Sequence, residues 1–419
     1  MTDFALTPEQ QKWIDKAKVL AAVFASRARK YDEDGAYPAK NFDALREEGF
    51  LKLAVPREFG GVGDMASYCS FIPHLVVETI AAGCGSTGWD LLTHFHHCGL
   101  LTGLGNDEQR QRIFADVVNR GALMASLGSE VIPQQMKTST QATGSTVFQA
   151  QLAPVPGGFV TNATKGFCSM ARVSDYLVYW AMAPGTESLA DGLVLSIVPK
   201  ESPGLSFLPG WEEAMGIRGS LSGGAKLDNV FIPWKNVMGE PGDYVQKYPY
   251  TFDLSYTVQL LGIAQGAYDF LRKSLAERPF LKSDDTVMYT LGEMSSALQA
   301  TRMSWWYAQW LWDQKRWDEA SHATLRALHE AKNTSLMVTT KSFEVLGVRA
   351  LFKFNPFERA WRDVRTVTLH TRESQFMRFL AEGEISGSNF VKEKYGPRLQ
   401  QRKNWTELGY PRELADAVG

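Results

Sequence analysis

Cysteine is scarce in this chain of 419 residues. Cys69, Cys84, Cys98 and Cys168 show no paired short spacing, which excludes a disulfide framework or zinc ribbon and fits a reducing cytosol. Basic excess is absent too: 44 Lys and Arg face 46 Asp and Glu, a net charge of -2, so the electrostatic footprint of a nucleic-acid binder is missing. No run approaches the roughly 18 apolar residues that would cross a bilayer, and "MTDFALTPEQQKW" reads as a helix entry without the regions of a signal peptide. Neither export nor membrane insertion is expected, and the cytoplasm is the expected location. A strand, Gly-x-Gly-x-x-Gly, helix unit is also lacking. "GGVGD" and "SLSGG" have neither its spacing nor its setting, which excludes a dinucleotide-type nicotinamide site.

Apolar residues, by contrast, make up 44 % of the chain and aromatics 12 %, enough for a large core divided among two or three subdomains. The partner such a composition suggests is a small molecule. Hydrophobic period separates three zones. Residues 1–122 repeat at three- and four-residue steps ("FDALREEGFLKLAVP", "YCSFIPHLVVETIAAG"), predicting a helical domain. Residues 123–240 break into short β-branched and aromatic runs ("DYLVYWAMAP", "DGLVLSIVPK", "AKLDNVFIPWKNV") punctuated by Gly, Pro and Asn, predicting a β-sandwich or barrel. Residues 241–419 return to long amphipathic segments spaced like a bundle of antiparallel helices. The expected fold is therefore α+β in the order helical, β, helical.

Two strings invite functional readings. "THFHHC" (Thr93 to Cys98) holds three of the seven histidines, and the steps from His94 to His97 and Cys98 permit a metal on one helical face. No His-Glu-x-x-His string and no second Cys/His cluster completes a ligand set, so no metal is expected. His96, His97 and Cys98 taken singly read as packed or hydrogen-bonded interior positions. The run "SWWYAQWLWDQKRW" (Ser304 to Trp317) places Trp305 and Trp312 at helical steps, which points to core or subunit interface rather than to a cage or a base-stacking surface.

The zone order, with "LAVPREFGGVG", "GFVTNATKGFCSMARVSDYLVYWA", "AMGIRGSLSGG", "LLGIAQGAYDFL" and "FEVLGVRALFKFNPFERAWRDVR", resembles the acyl-CoA dehydrogenase superfamily along almost the whole chain. That resemblance implies a four-helix bundle as the last domain, a flavin between it and the β-domain, and a homotetramer whose subunits share each site. One segment departs from the pattern. Where acyl-CoA dehydrogenases carry their catalytic Glu in a Tyr-Glu-Gly-Thr-like string, this chain reads "TVTLHTRES", with His370 and Thr371 in the slot. Removing an α-proton from a thioester needs a carboxylate aimed at that carbon. Glu373, and more weakly Glu344, remain as displaced bases for a dehydrogenase.

The "VRT..LH" ending is similar to the flavin-dependent monooxygenases of this fold, a group that includes enzymes oxygenating dibenzothiophene and indole-type heterocycles. The resemblance implies His94, His370 and Ser169 as catalytic pocket residues. Ser126, Ser169 and Trp211 would lie against the flavin ring, and Arg278 and Arg349 would meet its phosphate, Arg278 from the neighbouring subunit. It further implies reduced flavin (FMNH2 or FADH2) and O2 as reactants through a C4a-hydroperoxide, and a separate NAD(P)H-dependent flavin reductase as electron source. The substrate would be a small aromatic, of indole or indole-acetate type ahead of thiophene type. Such chemistry needs a dry pocket, a hydrogen-bond donor and a group that manages a proton, tasks that neutral imidazoles and a hydroxyl suit. A dehydrogenase on an acyl thioester and a non-catalytic family member are the competing readings.

Overall fold

Thr7 starts the first helix by a reciprocal cap: its hydroxyl accepts from the Gln10 amide at 3.2 Å while the Gln10 side chain accepts from the Thr7 amide at 2.9 Å. The structure, a computed structural model, describes residues 5–63, 71–132, 137–138, 148–247, 251–371, 373–387 and 402–411; Cys69 lies outside them. Helix α1 (Pro8–Asp34) buries Ile14, Ala17, Ala21, Phe24 and Ala28 along one stripe and ends at Gly35 in the left-handed region. Helices α2 (Ala39–Glu47), α3 (Phe71–Gly83), α4 (Gly85–Leu104) and α5 (Asp107–Arg120) complete the first domain. Every residue of α4 except Gly103 is buried, so this helix is an axle rather than a wall.

Among the described residues ten strands follow: β1 (Met124–Leu127), β2 (Val131–Ile132), β3 (Lys137–Thr138), β4 (Ala153–Val155), β5 (Gly158–Lys165), β6 (Tyr176–Met182), β7 (Leu193–Pro199), β8 (Leu205–Leu208), β9 (Gly224–Pro233) and β10 (Val237–Met238). One sheet runs β1-β6-β7-β10, with β1 and β6 parallel; the other runs β4-β5-β9-β8 and is antiparallel; β2 and β3 pair alone. Strand β9 alternates buried and exposed residues, whereas β6 and β7 are buried almost throughout. The reason is a sandwich with a third layer. Leu177, Tyr179, Val194 and Val198 share a core with Phe159, Leu227 and Ile232 of the second sheet, while Val178, Trp180, Leu195 and Ile197 pack on Leu101, Leu104 and Phe114 from α4 and α5. Inside the sandwich the fully buried Lys165 ammonium donates to Glu130 at 2.8 Å and to the Trp180 carbonyl at 2.7 Å.

After the short helices α6 (Leu189–Gly192) and α7 (Asp243–Lys247), the last domain comprises α8 (Thr251–Ala276), α9 (Pro279–Lys282), α10 (Asp285–Asp313), α11 (Trp317–Leu346), α12 (Phe357–Thr368) and α13 (Glu373–Ser386). Helices α8, α10, α11 and α12 form the bundle, and α8 also lies along α3. The tryptophan run resolves by face. Trp305 and Trp312 are core, with Trp305 stacked on Phe71, while Tyr307 on the same helix is half exposed. Residues 402–411, read from the sequence as part of the helical third, pack instead on the β region: Trp405 sits on Phe159 and Trp234 and donates to the Gly239 carbonyl at 3.1 Å.

Arg362 of α12 ties the three domains. Its guanidinium holds Asp32 at the end of α1 at 2.6 Å, Glu358 at 2.7 Å and the Met215 carbonyl of the β-domain at 2.7 Å. The approach of α8 to α3 depends on glycine, because a Cβ at Gly266 would lie 2.2 Å from the Ala82 carbonyl oxygen. Gly266→Val should therefore force the helices apart and cost about 3 kcal/mol. Chemical denaturation tests this, and an unchanged midpoint would contradict the close packing.

Candidate functional site

The first turns of α4 are built of small residues, Gly85, Ser86 and Gly88, and three elements press against them. The Gln259 side chain of α8 donates to the Gly85 carbonyl at 2.8 Å, and Ser86 Oγ accepts from the Gly219 amide at 3.1 Å. Asp363 of α12 packs on Gly85 while its Oδ1 accepts from the Ile217 amide at 2.6 Å. With the helix start so held, Trp89 is fixed one turn later. Its indole N–H donates to Ser169 Oγ at 2.9 Å, its ring stacks on Tyr256 of α8 (centroids 5.3 Å, planes 4° apart), and His370 approaches to 4.5 Å. Tyr256 and His370 are 6.0 Å apart, closing an aromatic cluster drawn from α4, α8, the β-domain and the turn after α12.

Ser169 lies on a loop held under strain. Six non-glycine residues have positive φ among the described residues, and four of them, Phe167, Met170, Ile217 and Leu221, belong to two facing loops of the β-domain. Backbone bonds fasten these loops together, from the Cys168 amide to the Gly223 carbonyl and from the Met170 amide to the Ser220 carbonyl, both at 2.8 Å. The Ser169 hydroxyl is thereby brought 2.7 Å from that of Ser222, which lies 2.6 Å from that of Ser220. The chain of hydroxyls is buried at every member.

His370 ends α12. Its Nδ1–H donates to the Thr366 carbonyl at 2.9 Å, which makes Nε2 the basic nitrogen of the neutral ring. Loss of hydration, opposed by that bond and reinforced by the Lys332 ammonium, holds the imidazole below its ordinary pKa. Lys332, buried on α11, also donates to the Thr371 carbonyl at 3.3 Å and so anchors the turn. Neither acid considered as a displaced base reaches the cluster: Glu373 is bound to His329 at 2.5 Å, and Glu344 is exposed.

The remaining expected residues are dispersed. His94, expected in the pocket, lies apart from the cluster: its Nε2–H donates to the Leu51 carbonyl at 2.8 Å and its Nδ1 accepts from the Met124 amide at 3.1 Å, so both ring nitrogens join α4 to backbone. Burial lowers its pKa to about 4 and keeps it neutral. His97 bonds the Thr93 carbonyl at 2.7 Å, and Cys98 lies against Met124. Among the described residues no three His, Cys, Asp or Glu side chains are grouped to hold a metal. Ser126 is half-buried on β1, paired with Val178. Trp211 donates to the Ile217 carbonyl at 2.9 Å, meets Phe167 edge to face, and lines a cavity with Cys168, Arg172, Arg218 and Leu221 on the β-domain side of the loops. Arg278 opens α9, half-buried, and Arg349 is exposed; neither forms an ion pair among the described residues. Sequence reading passed over Trp89, Tyr256, Ser220, Ser222 and Lys332. The signal for Trp89 was present in "GSTGW", where small residues admit close packing around one large ring.

The N-terminal domain of acyl-CoA dehydrogenases matches residues 7–120 and the C-terminal domain residues 254–375. The chain belongs to the acyl-CoA dehydrogenase family. It is 27 % identical over 385 residues to dibenzothiophene monooxygenase of Rhodococcus erythropolis (84 % of this chain, 88 % of that one). It is also 27 % identical over 398 residues to the short-chain specific acyl-CoA dehydrogenase of Clostridium acetobutylicum (91 % and 99 %). In structure it is similar to TdsC of Paenibacillus sp. A11-2 in complex with FMN and indole, at a TM-score of 0.80 and 22 % identity, covering 90 % of this chain and 98 % of that one. The family and fold are those of flavin-dependent oxidoreductases. No helix among the described residues is long and apolar enough to cross a membrane.

Burial lowers the pKa of His74, His94 and His97 to about 4, and that of His96 well below its ordinary value. A base depressed by folding contributes stability that is present above pH 6.5 and lost as pH falls toward 4. Asp90, raised well above its usual range, and Asp363, raised to about 7, act in the opposite sense, two carboxyls against six rings once His322 and His370, also held low, are included. The histidines outnumber the carboxyls, so unfolding takes up protons over this range and stability falls as pH falls. Melting temperature should fall sharply between pH 6.5 and 4, and a flat profile would contradict the buried neutral histidines.

Proposed function

We propose that this protein is a reduced-flavin-dependent monooxygenase acting on a small aromatic or heteroaromatic compound, of indole or indole-acetate type ahead of thiophene type. The observation that carries the reading is the composition of the cluster. Trp89, Tyr256, Ser169 and His370 offer aromatic faces, a buried hydroxyl and a neutral imidazole, and among the described residues no carboxylate bonds to them. That set fits a flavin ring and a flat substrate better than it fits thioester deprotonation. Relatives named for dibenzothiophene oxygenation and a neighbour solved with FMN and indole agree with it.

Reduced flavin, FMNH2 or FADH2, would supply the electrons that activate O2, arriving by diffusion from a separate NAD(P)H-dependent flavin reductase. Ser169 would hold the ring at its N5 edge, with Ser126 and Trp211 on the β-domain side. Arg278 from a neighbouring subunit and Arg349 would meet the phosphate in a homotetramer working in the cytoplasm. Trp89 and Tyr256 would stack the substrate and keep water out. The Nε2 of His370 would take the proton from an indole N–H or a phenol. Because that ring is neutral at pH 7, oxygenation should weaken as pH falls through the range where Nε2 protonates.

The test mixes the protein with anaerobically reduced FMN or FAD, isotopically labelled oxygen and indole, then measures label in product and hydrogen peroxide. Label should enter the product, and His370→Ala should cut product per flavin by at least about tenfold while peroxide rises. Undiminished yield in the variant would remove His370 from the mechanism. The dehydrogenase reading, favoured by the clostridial relative, predicts instead that bound oxidised flavin bleaches on adding an acyl-CoA and that no label is incorporated.

A further inference from the structure

The hydroxyls of Ser169, Ser222 and Ser220 form a chain whose direction the geometry leaves reversible. Each serine has one proton and two lone pairs. Ser169 Oγ already accepts from the Trp89 indole at 2.9 Å, so one lone pair is spent. If Ser220 donates to Ser222 and Ser222 to Ser169, the second lone pair of Ser169 is occupied as well, and its own proton turns away from both partners, to where the flavin N5 of the proposed function would lie. If the chain runs the other way, Ser169 donates to Ser222 and Ser222 to Ser220, and Ser169 turns a lone pair to the pocket. Both directions use the same contacts of 2.7 and 2.6 Å, with residues that are 8 %, 3 % and 0 % exposed, so water does not decide between them.

An oxidised flavin accepts a hydrogen bond at N5, whereas a reduced flavin donates one from N5–H. We propose that Ser222 and Ser220 are positioning residues that let Ser169 switch between donor and acceptor, giving the site its preference for reduced flavin. The inference rests on the flavin-binding reading above and assigns a role to two residues beyond it. Without Ser222, the proton of Ser169 has no serine to receive it and turns to the pocket, opposing N5–H. Without Ser220, the only remaining partner of Ser222 among the described residues is Ser169. Ser222 then donates to Ser169, which again becomes a donor toward the pocket. Both deletions shift the preference in one direction, toward oxidised flavin.

The experiment measures dissociation constants of oxidised and anaerobically reduced FMN for the wild type, Ser222→Ala, Ser220→Ala and Ser222→Thr, with the midpoint potential of bound FMN as an independent readout. Circular dichroism confirms folding of each. Wild type should bind the reduced form more tightly. Each alanine variant should lose about tenfold of that preference, the size of one hydrogen bond, and lower the midpoint potential by about 30 mV, the two-electron equivalent of tenfold. Threonine, which keeps the hydroxyl, should restore both values, and it keeps the test open if Ser222→Ala fails to fold. Equal weakening of both flavin forms, or an unchanged ratio in the alanine variants, overturns the switch while leaving the proposed function intact. A wild type that binds neither form overturns the functional reading, and the switch with it.

Discussion

Burial of α4 on every side is the constraint from which the rest of the structure follows. A helix with no solvent face must satisfy each polar side chain internally and meet each neighbour at backbone distance. Its first turns answer the second demand with Gly85, Ser86 and Gly88, against which α3, α8, α12 and the loop at Gly219 close. Its middle answers the first in part: His94 spans the Leu51 carbonyl and the Met124 amide and His97 bonds back to its own helix, while the Asp90 carboxyl has no hydrogen-bond partner among the described residues and its pKa is raised by burial. One indole is left at the meeting point of all three domains, and the Trp89 to Ser169 hydrogen bond joins two of them.

Electrostatics at that point are governed by neutrality. The charged ties that hold the domains together, Arg362 with Asp32 and Glu358, lie on the earlier turns of α12, away from the cluster. By His370 the helix offers a neutral ring, kept so by lost hydration and by Lys332 behind the turn. A site walled by indole, phenol and imidazole, with hydroxyls as its internal polar groups, suits a flat neutral ligand and a reaction that water would spoil. The strained loops at Phe167, Met170, Ile217 and Leu221 show where the β-domain spends stability to place Ser169.

The layer order was legible in the sequence because hydrophobic period is a local property: α1 and β9 carry their burial pattern in their own residues. Resemblance in short strings pointed to His370 and Ser169, which both lie against Trp89. Packing across sequence distance was not. His94 reads like a pocket histidine until the backbone groups of Leu51 and Met124 fill both of its nitrogens, partners 43 and 30 residues away. Tyr256 joins Trp89 across more than 160 residues, and Ser222 joins Ser169 across 53, so neither pairing leaves a local mark. The return of Trp405 to the β region was hidden for the same reason.

The central claim is that the flavin ring binds where Trp89, Ser169, Tyr256 and His370 converge. A crystal structure of the protein with FMN tests it most directly. The account predicts the N5 edge about 3 Å from Ser169 Oγ, with the imidazole of His370 on the substrate side of the ring. A flavin seated away from the cluster, or one with a carboxylate rather than His370 facing N5, would contradict it.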